Sequence, residues 1–161
     1  MKEMTSNKRI EKPEIVQTES VPTATLYAKI PAKEIQSQMG LLLKELSDEL
    51  RSQGIKPTGP WFTHHLRSPG EFFDFEVCFP VGTPVKANGR VTPGEWPARK
   101  MVRTTYHGEY QGLAGGWQDF MTEIQSMGLQ VTPEIWEVYL IGPDTTNNPG
   151  EWRTQLNRAI I

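Results

Sequence analysis

The feature that most constrains this chain is a repeat. A shift of 74 residues lays RSQGIKPTGPWFTHHL (Arg51–Leu66) over QSMGLQVTPEIWEVYL (Gln125–Leu140). Ser52, Gly54, Thr58 and Leu66 then meet identical residues, and similar helices precede both stretches. Gln36–Gln53 carries Met39, Leu43, Leu46 and Leu50 on one stripe at 4-3-4 spacing, and Gly112–Met127 carries Leu113, Trp117, Phe120 and Ile124 at the same spacing. That period is the mark of an amphipathic helix. Each helix runs into a glycine, Gly54 or Gly128, suited to a left-handed C-cap. Fixed-period self-similarity is a statement about the whole fold.

Each half reads the same way around its helix. A β-rich opening (Ile15–Ile30; Arg99–Tyr106) precedes it, and a strand (Trp61–Leu66; Ile135–Ile141) follows. A turn worded Ser-Pro-Gly-Glu-Phe at 68–72 and Asn-Pro-Gly-Glu-Trp at 148–152 leads into a last strand (Phe72–Phe79; Trp152–Ile160). The expected fold is α+β: two β-α-β-β units in an antiparallel sheet, helices on one face and a cleft between the halves. The predicted boundaries are a polar, frayed segment over 1–13, a first half over 14–80, a Pro/Gly-rich linker over 81–97 and a second half over 98–161.

Composition narrows the function. The chain has 161 residues, 37% of them hydrophobic, and a net charge of −2. With no basic run longer than a pair, it lacks the cationic face that duplex DNA requires. No apolar run is long enough for a signal peptide or a membrane span, and the single cysteine, Cys78, allows no intramolecular disulfide. A protein of the cytoplasm is expected, with no membrane or direct nucleic-acid partner.

Candidate site residues come from the strand EIWEVYL (Glu134–Leu140), which holds a glutamate, Glu137, at its centre. Alternation separates Trp136, Val138 and Leu140 from Ile135, Glu137 and Tyr139. The repeat maps the first set onto Phe62, His64 and Leu66, and the second onto Trp61, Thr63 and His65. The first set is more uniformly apolar and is expected to pack on the helices. The second would then face away from them, either as a plain solvent side, which alternation alone favours, or as a lining for a flat, apolar molecule with a positive or protonatable group. Asp74, Glu76 and Cys78 share one side of their strand near His64 and His65, but no compact ligand spacing supports a metal, and none is expected. GLAGG (Gly112–Gly116) is not a phosphate loop; its glycines suit close packing at the helix start.

Three stretches, HGEYQGLAGGWQDF (His107–Phe120), IWEVYLIGP (Ile135–Pro143) and EWRTQLNRAI (Glu151–Ile160), resemble the GyrI-like family of small-molecule-binding domains, also found as effector domains of bacterial transcription activators. VPTATLYAKIP and GPWFTHHL match more loosely, and the resemblance runs from about Glu14 to the end. With no helix-turn-helix region, the chain resembles the free-standing members. The resemblance implies a cleft in which a strand glutamate, matched by Glu137, attracts lipophilic aromatic cations for sequestration, sensing or detoxification. It also implies two alternatives: a hydrolase opening strained cyclopropane rings with Glu137 as the key catalytic residue, beside which Tyr139, on the inferred cleft side, is the second catalytic candidate, or a gyrase-inhibitor-like module with a protein partner. The SOUL haem-binding proteins resemble this fold, but neither His64 nor His65 is singled out as an axial ligand, and no cofactor is expected. The expected ligand-binding set is Glu137, Tyr139, Trp61, His65, Trp96 and Tyr110, with Trp96 closing the cleft from above. His107 is expected to be a turn residue.

Overall fold

The computed structural model describes residues 9–161, so most of the predicted frayed segment (residues 1–8) lies outside the described residues. The rest of that segment is tied down: Ile10 is buried and bridges to Tyr106, and the Glu11 amide donates to the Thr105 carbonyl at 3.0 Å.

The two helices are α1 (Ile35–Ser52) and α2 (Leu113–Ser126), each following a short 3-10 turn. Both end at the expected glycines, which hold φ of 70°, a conformation that costs glycine little. The strands are β1 (Glu14–Gln17), β2 (Val21–Pro31), β3 (Phe62–His65), β4 (Phe72–Pro80), β5 (Val91–Trp96), β6 (Lys100–His107), β7 (Val131–Ile141) and β8 (Arg153–Ile160). They form one antiparallel sheet in the order β1-β6-β8-β7-β3-β4-β2-β5. The predicted β-α-β-β units appear as β2-α1-β3-β4 and β6-α2-β7-β8, side by side.

The predicted linker is a correction. It contains β5, which pairs with β2 over six positions. The repeat is longer than the sequence suggested, because α2 is one turn shorter than α1. Ahead of the helices the matching shift is therefore 78, which carries Ile35 onto Leu113 and β1 onto residues 92–95, inside β5. Each unit thus begins with an extra strand, and that strand lies at the edge of the other unit: β1 beside β6, β5 beside β2.

This exchange forces the sheet to curl. β1 and β2 stand six strand spacings apart in the order, about 29 Å in a flat sheet. The four steps from Gln17 to Val21 reach only about 14 Å when fully extended. The sheet must bring its ends together, and the two short connections do meet: the Thr18 amide donates to the Arg99 carbonyl at 2.9 Å, and its hydroxyl to the Pro97 carbonyl at 2.8 Å. The concave side closes over Phe62, Cys78, Trp96, Met101, Trp136, Val138 and Ala159. The helices lie on the convex side. There Leu42, Leu46 and Leu50 of α1 pack on Leu26, Ala28, Phe75 and Val77. Phe120 and Ile124 of α2 pack on Val102, Tyr106 and Leu156. α1 covers β2 and β4, α2 packs on β6 and β8, and the central pair β3/β7 runs between them as the floor of a filled groove, with Thr63, His65 and Glu137 buried. The glycines at the start of α2 permit its close approach: a Cβ on Gly116 would lie 2.6 Å from Tyr106 Cδ1.

Candidate functional site

Register decides what lies on the groove floor. Thr63 of β3 pairs with Glu137 of β7, and His65 pairs with Ile135. Thr63 also neighbours Val77 of β4, and Glu137 neighbours Leu156 of β8, both beneath the helices. Glu137 therefore faces the helices, which reverses the side expected from alternation. Trp136 and Val138, expected beneath the helices, fill the concave interior with Phe62. Leu140 is exposed. The physical reason is the curl: it buries both faces of β7, so the more apolar set is no longer diagnostic of the helix side.

Glu137 is 8% exposed, and each carboxylate oxygen accepts one hydrogen bond. Trp117 Nε1 of α2 donates to Oε2 at 2.6 Å, and Tyr139 Oη donates to Oε1 at 2.7 Å. Thr63 Oγ1 lies 2.8 Å from Tyr139 Oη and, as that phenol's proton is committed to Glu137, acts as donor. Among the described residues no ion pair reaches Glu137. Burial pushes its pKa up, and the bonds from Tyr139 and Trp117 only partly restore it. A carboxylate held by neutral donors has no cation of its own, an arrangement that favours one arriving from outside.

Aromatic rings wall one end of the groove. Trp61 stacks on Tyr139 with centroids 4.1 Å apart, and its carbonyl accepts from the Tyr139 amide. Tyr110, in the 3-10 turn before α2, meets Tyr139 edge-on at 6.1 Å and stacks on Trp152 at 5.2 Å. The Tyr139 pKa is pushed well up by burial and by the Glu137 charge, and that of Tyr110 is raised by burial, so neither supplies a phenolate near neutrality. At the other end His65 is 2% exposed and stacks on Phe75, and burial lowers its pKa to about 4.

Of the residues expected at a site, Glu137, Tyr139, Trp61 and Tyr110 come together, and His65 shares their floor. Trp96 does not. It sits on the concave side, edge-on to Phe62 at 5.0 Å and 6.0 Å from Trp136, because the curl of the sheet brings its edge strand β5 over that side. His107 lies at the surface beside Glu11. Sequence reasoning left out Trp117 and Trp152. Trp117 fits the core stripe of α2, but a half-buried indole N–H needs an acceptor, and that requirement was the available signal. On the concave side His64 is held between Glu76 (Nδ1, 2.9 Å) and Glu134 (Nε2, 2.7 Å) and stacks on Trp136. Among the described residues no group of three or more His, Cys, Asp or Glu is arranged to hold a metal. None of their helices is long and apolar enough to cross a membrane.

Two repeated halves, a curled open sheet and a groove holding a carboxylate without an ion pair among the described residues define a ligand-binding α+β domain. The chain belongs to the GyrI-like small molecule binding domain family, whose model matches residues 11–156. Similar solved structures include the C-terminal domain of EcmrR, with a TM-score of 0.84 at 19% identity over 92% of this chain and 96% of that one. The chain spans 60% of the EcmrR chain seen in a complex with DNA. A hydrolase from Listeria innocua has a TM-score of 0.62 at 13% identity, over 99% of this chain and 96% of that one. SAV2435 bound to tetraphenylphosphonium has a TM-score of 0.65 at 9% identity, over 94% of each chain. At these identities the likeness establishes the fold. No curated protein matches the chain.

Proposed function

We propose that this domain binds lipophilic, planar cations in the groove between α1 and α2, with Glu137 as the counter-charge. The observation that carries this is the buried carboxylate with two neutral donors and no cationic partner among the described residues. A cation seated there would return to the carboxylate the solvation that burial removes. Trp61 stacks on Tyr139, and Tyr110 meets Tyr139 edge-on; a planar molecule could replace those ring contacts with its own faces. The tetraphenylphosphonium held by SAV2435 shares the positive charge and the aromatic, lipophilic surface of that class, although its four phenyl rings are set tetrahedrally about phosphorus.

Titration with tetraphenylphosphonium, read by quenching of tryptophan fluorescence, tests the proposal. Wild type should bind saturably and Glu137→Gln much more weakly. Equal affinity for both would refute the role given to Glu137.

One observation favours a second reading, hydrolysis of a strained electrophile. Glu137, Tyr139 and Thr63 form a continuous hydrogen-bonded chain, and a carboxyl with a raised pKa suits proton transfer. In this reading Glu137 would activate water or deliver a proton, and Tyr139 would steady it. Mass spectrometry of cyclopropane-bearing aromatics incubated with the protein separates the readings. A product heavier by one water, made by wild type and not by Glu137→Gln, indicates an enzyme; unchanged, retained ligand indicates a binder.

A further inference from the structure

The groove floor also carries a polar group that no described residue satisfies. His65 Nδ1 is buried and finds no hydrogen-bond partner among the described residues. The ring is fixed instead by aromatic contacts, stacked on Phe75 at 5.3 Å and edge-on to Phe73 at 5.4 Å. A buried polar atom without a partner destabilises the fold that contains it. Apolar side chains of similar size would fill this place without that loss, so the histidine calls for another explanation.

Its location supplies one. His65 is two residues from Thr63 on the same strand face, and Thr63 pairs with Glu137. Two residues along a strand set His65 about 7 Å further down the floor than the Thr63–Glu137 pair. Under the 74-residue repeat His65 occupies the place of Tyr139, which holds the carboxylate. The two ends of the floor therefore differ in kind. At one end the polar group of the repeat is engaged with Glu137, and at the other it is free.

We propose that His65 is a specificity-determining residue of this groove, offering its ring nitrogen to a hydrogen-bonding substituent of a planar cation whose charge lies at Glu137. The ligand class is thereby narrowed to aromatic cations with an amine or carbonyl at the end remote from the positive charge. This rests on the proposed binding of cations at Glu137. The neutral imidazole, with one donor and one acceptor nitrogen, accommodates either substituent according to its tautomer, and burial keeps it neutral across the physiological range.

A matched pair of probes tests it: ethidium, a planar phenanthridinium with two ring amines, and the same cation without its amines. Wild type is expected to prefer ethidium, and His65→Leu to lose about five- to tenfold in affinity for ethidium alone. His65→Gln, which keeps a hydrogen-bonding group, should retain part of the preference. Without ligand, His65→Leu should melt at a higher temperature than wild type, because the orphaned nitrogen is gone. A shift of the His65 ring ¹⁵N resonances with ethidium, and not with its amine-free analogue, would report the contact directly. Equal losses for both probes, or none for either, would overturn the role of His65 while leaving binding at Glu137 intact. Failure of wild type to bind either cation would overturn both proposals.

Discussion

Replacing Glu137 with glutamine keeps the side-chain shape and removes only the charge. Glutamine can still accept from Trp117 Nε1, and its amide can donate to Tyr139 Oη, so both contacts at 2.6 and 2.7 Å have a neutral counterpart. The protein should fold. Two unit charges about 4 Å apart attract by about 4 kcal/mol at an effective dielectric of 20. Stripping water from the ligand cancels part of this, and the expected loss in cation affinity is about 10- to 100-fold. Stability should respond in the opposite sense. Burial raises the Glu137 pKa above its usual 4.5, so between those two values the native state retains a proton that the unfolded chain has released. Wild-type stability therefore declines as pH rises through that window and levels off above the native pKa. Glu137→Gln lacks the group and should not show that decline. Urea unfolding at a series of pH values, alongside tetraphenylphosphonium titration, measures both effects. A mutant that loses affinity and stability together at neutral pH would refute the reasoning, since it would make Glu137 a structural group and not a poised counter-charge.

Three further outcomes follow from the same geometry. Trp117→Phe removes the donor to Glu137 Oε2 and should push the Glu137 pKa further up; the pH at which cation binding becomes half-maximal should move upward with it, as read from the pH profile of probe affinity. Gly116→Ala would drive a Cβ to 2.6 Å from the Tyr106 ring, whereas Gly40 in α1 has nothing within 4 Å. The first should lose about 1–3 kcal/mol by overpacking and the second gain about 0.5–1 kcal/mol from helix propensity, both measurable by denaturant unfolding. For His64, burial opposes the charged ring, but the bonds to Glu76 and Glu134 outweigh it and raise the pKa above 6.5. Its contribution is full below pH 6.5 and is lost as pH rises through the higher native value. His64→Gln should flatten that part of the stability profile.

How much of the site was legible depended on the kind of signal. Glu137 stood out because a charge inside an apolar strand is locally anomalous, and Tyr139 and Trp61 followed from alternation and the repeat. Tyr110 came with the family resemblance. Trp117 was hidden by its own regularity: it occupies a core position of α2, and only its contact with Glu137 gives it another part. Trp96 was misplaced because the segment carrying it looked like a linker. β5 has Pro93 and Gly94 in its middle, residues that argue against a strand. It forms at an edge, where a proline needs no partner on its outer side, and Gly94 passes close over Thr23 and Thr25, where a Cβ would clash.

The sequence alone determined the elements and their duplication, since helix period, glycine caps and strand alternation are local properties that survive without knowledge of any partner. It also determined that a carboxylate would sit among aromatic residues. Which face that carboxylate occupies was decided by the tertiary structure. In a flat sheet with helices on one side, the more apolar face of β7 would lie beneath them. Here the units exchange their first strands, the short connections draw the edges together, and the concave face acquires a core of its own. Both faces of β7 are then buried, hydrophobicity ceases to distinguish them, and only long-range pairing sets Glu137 toward the helices.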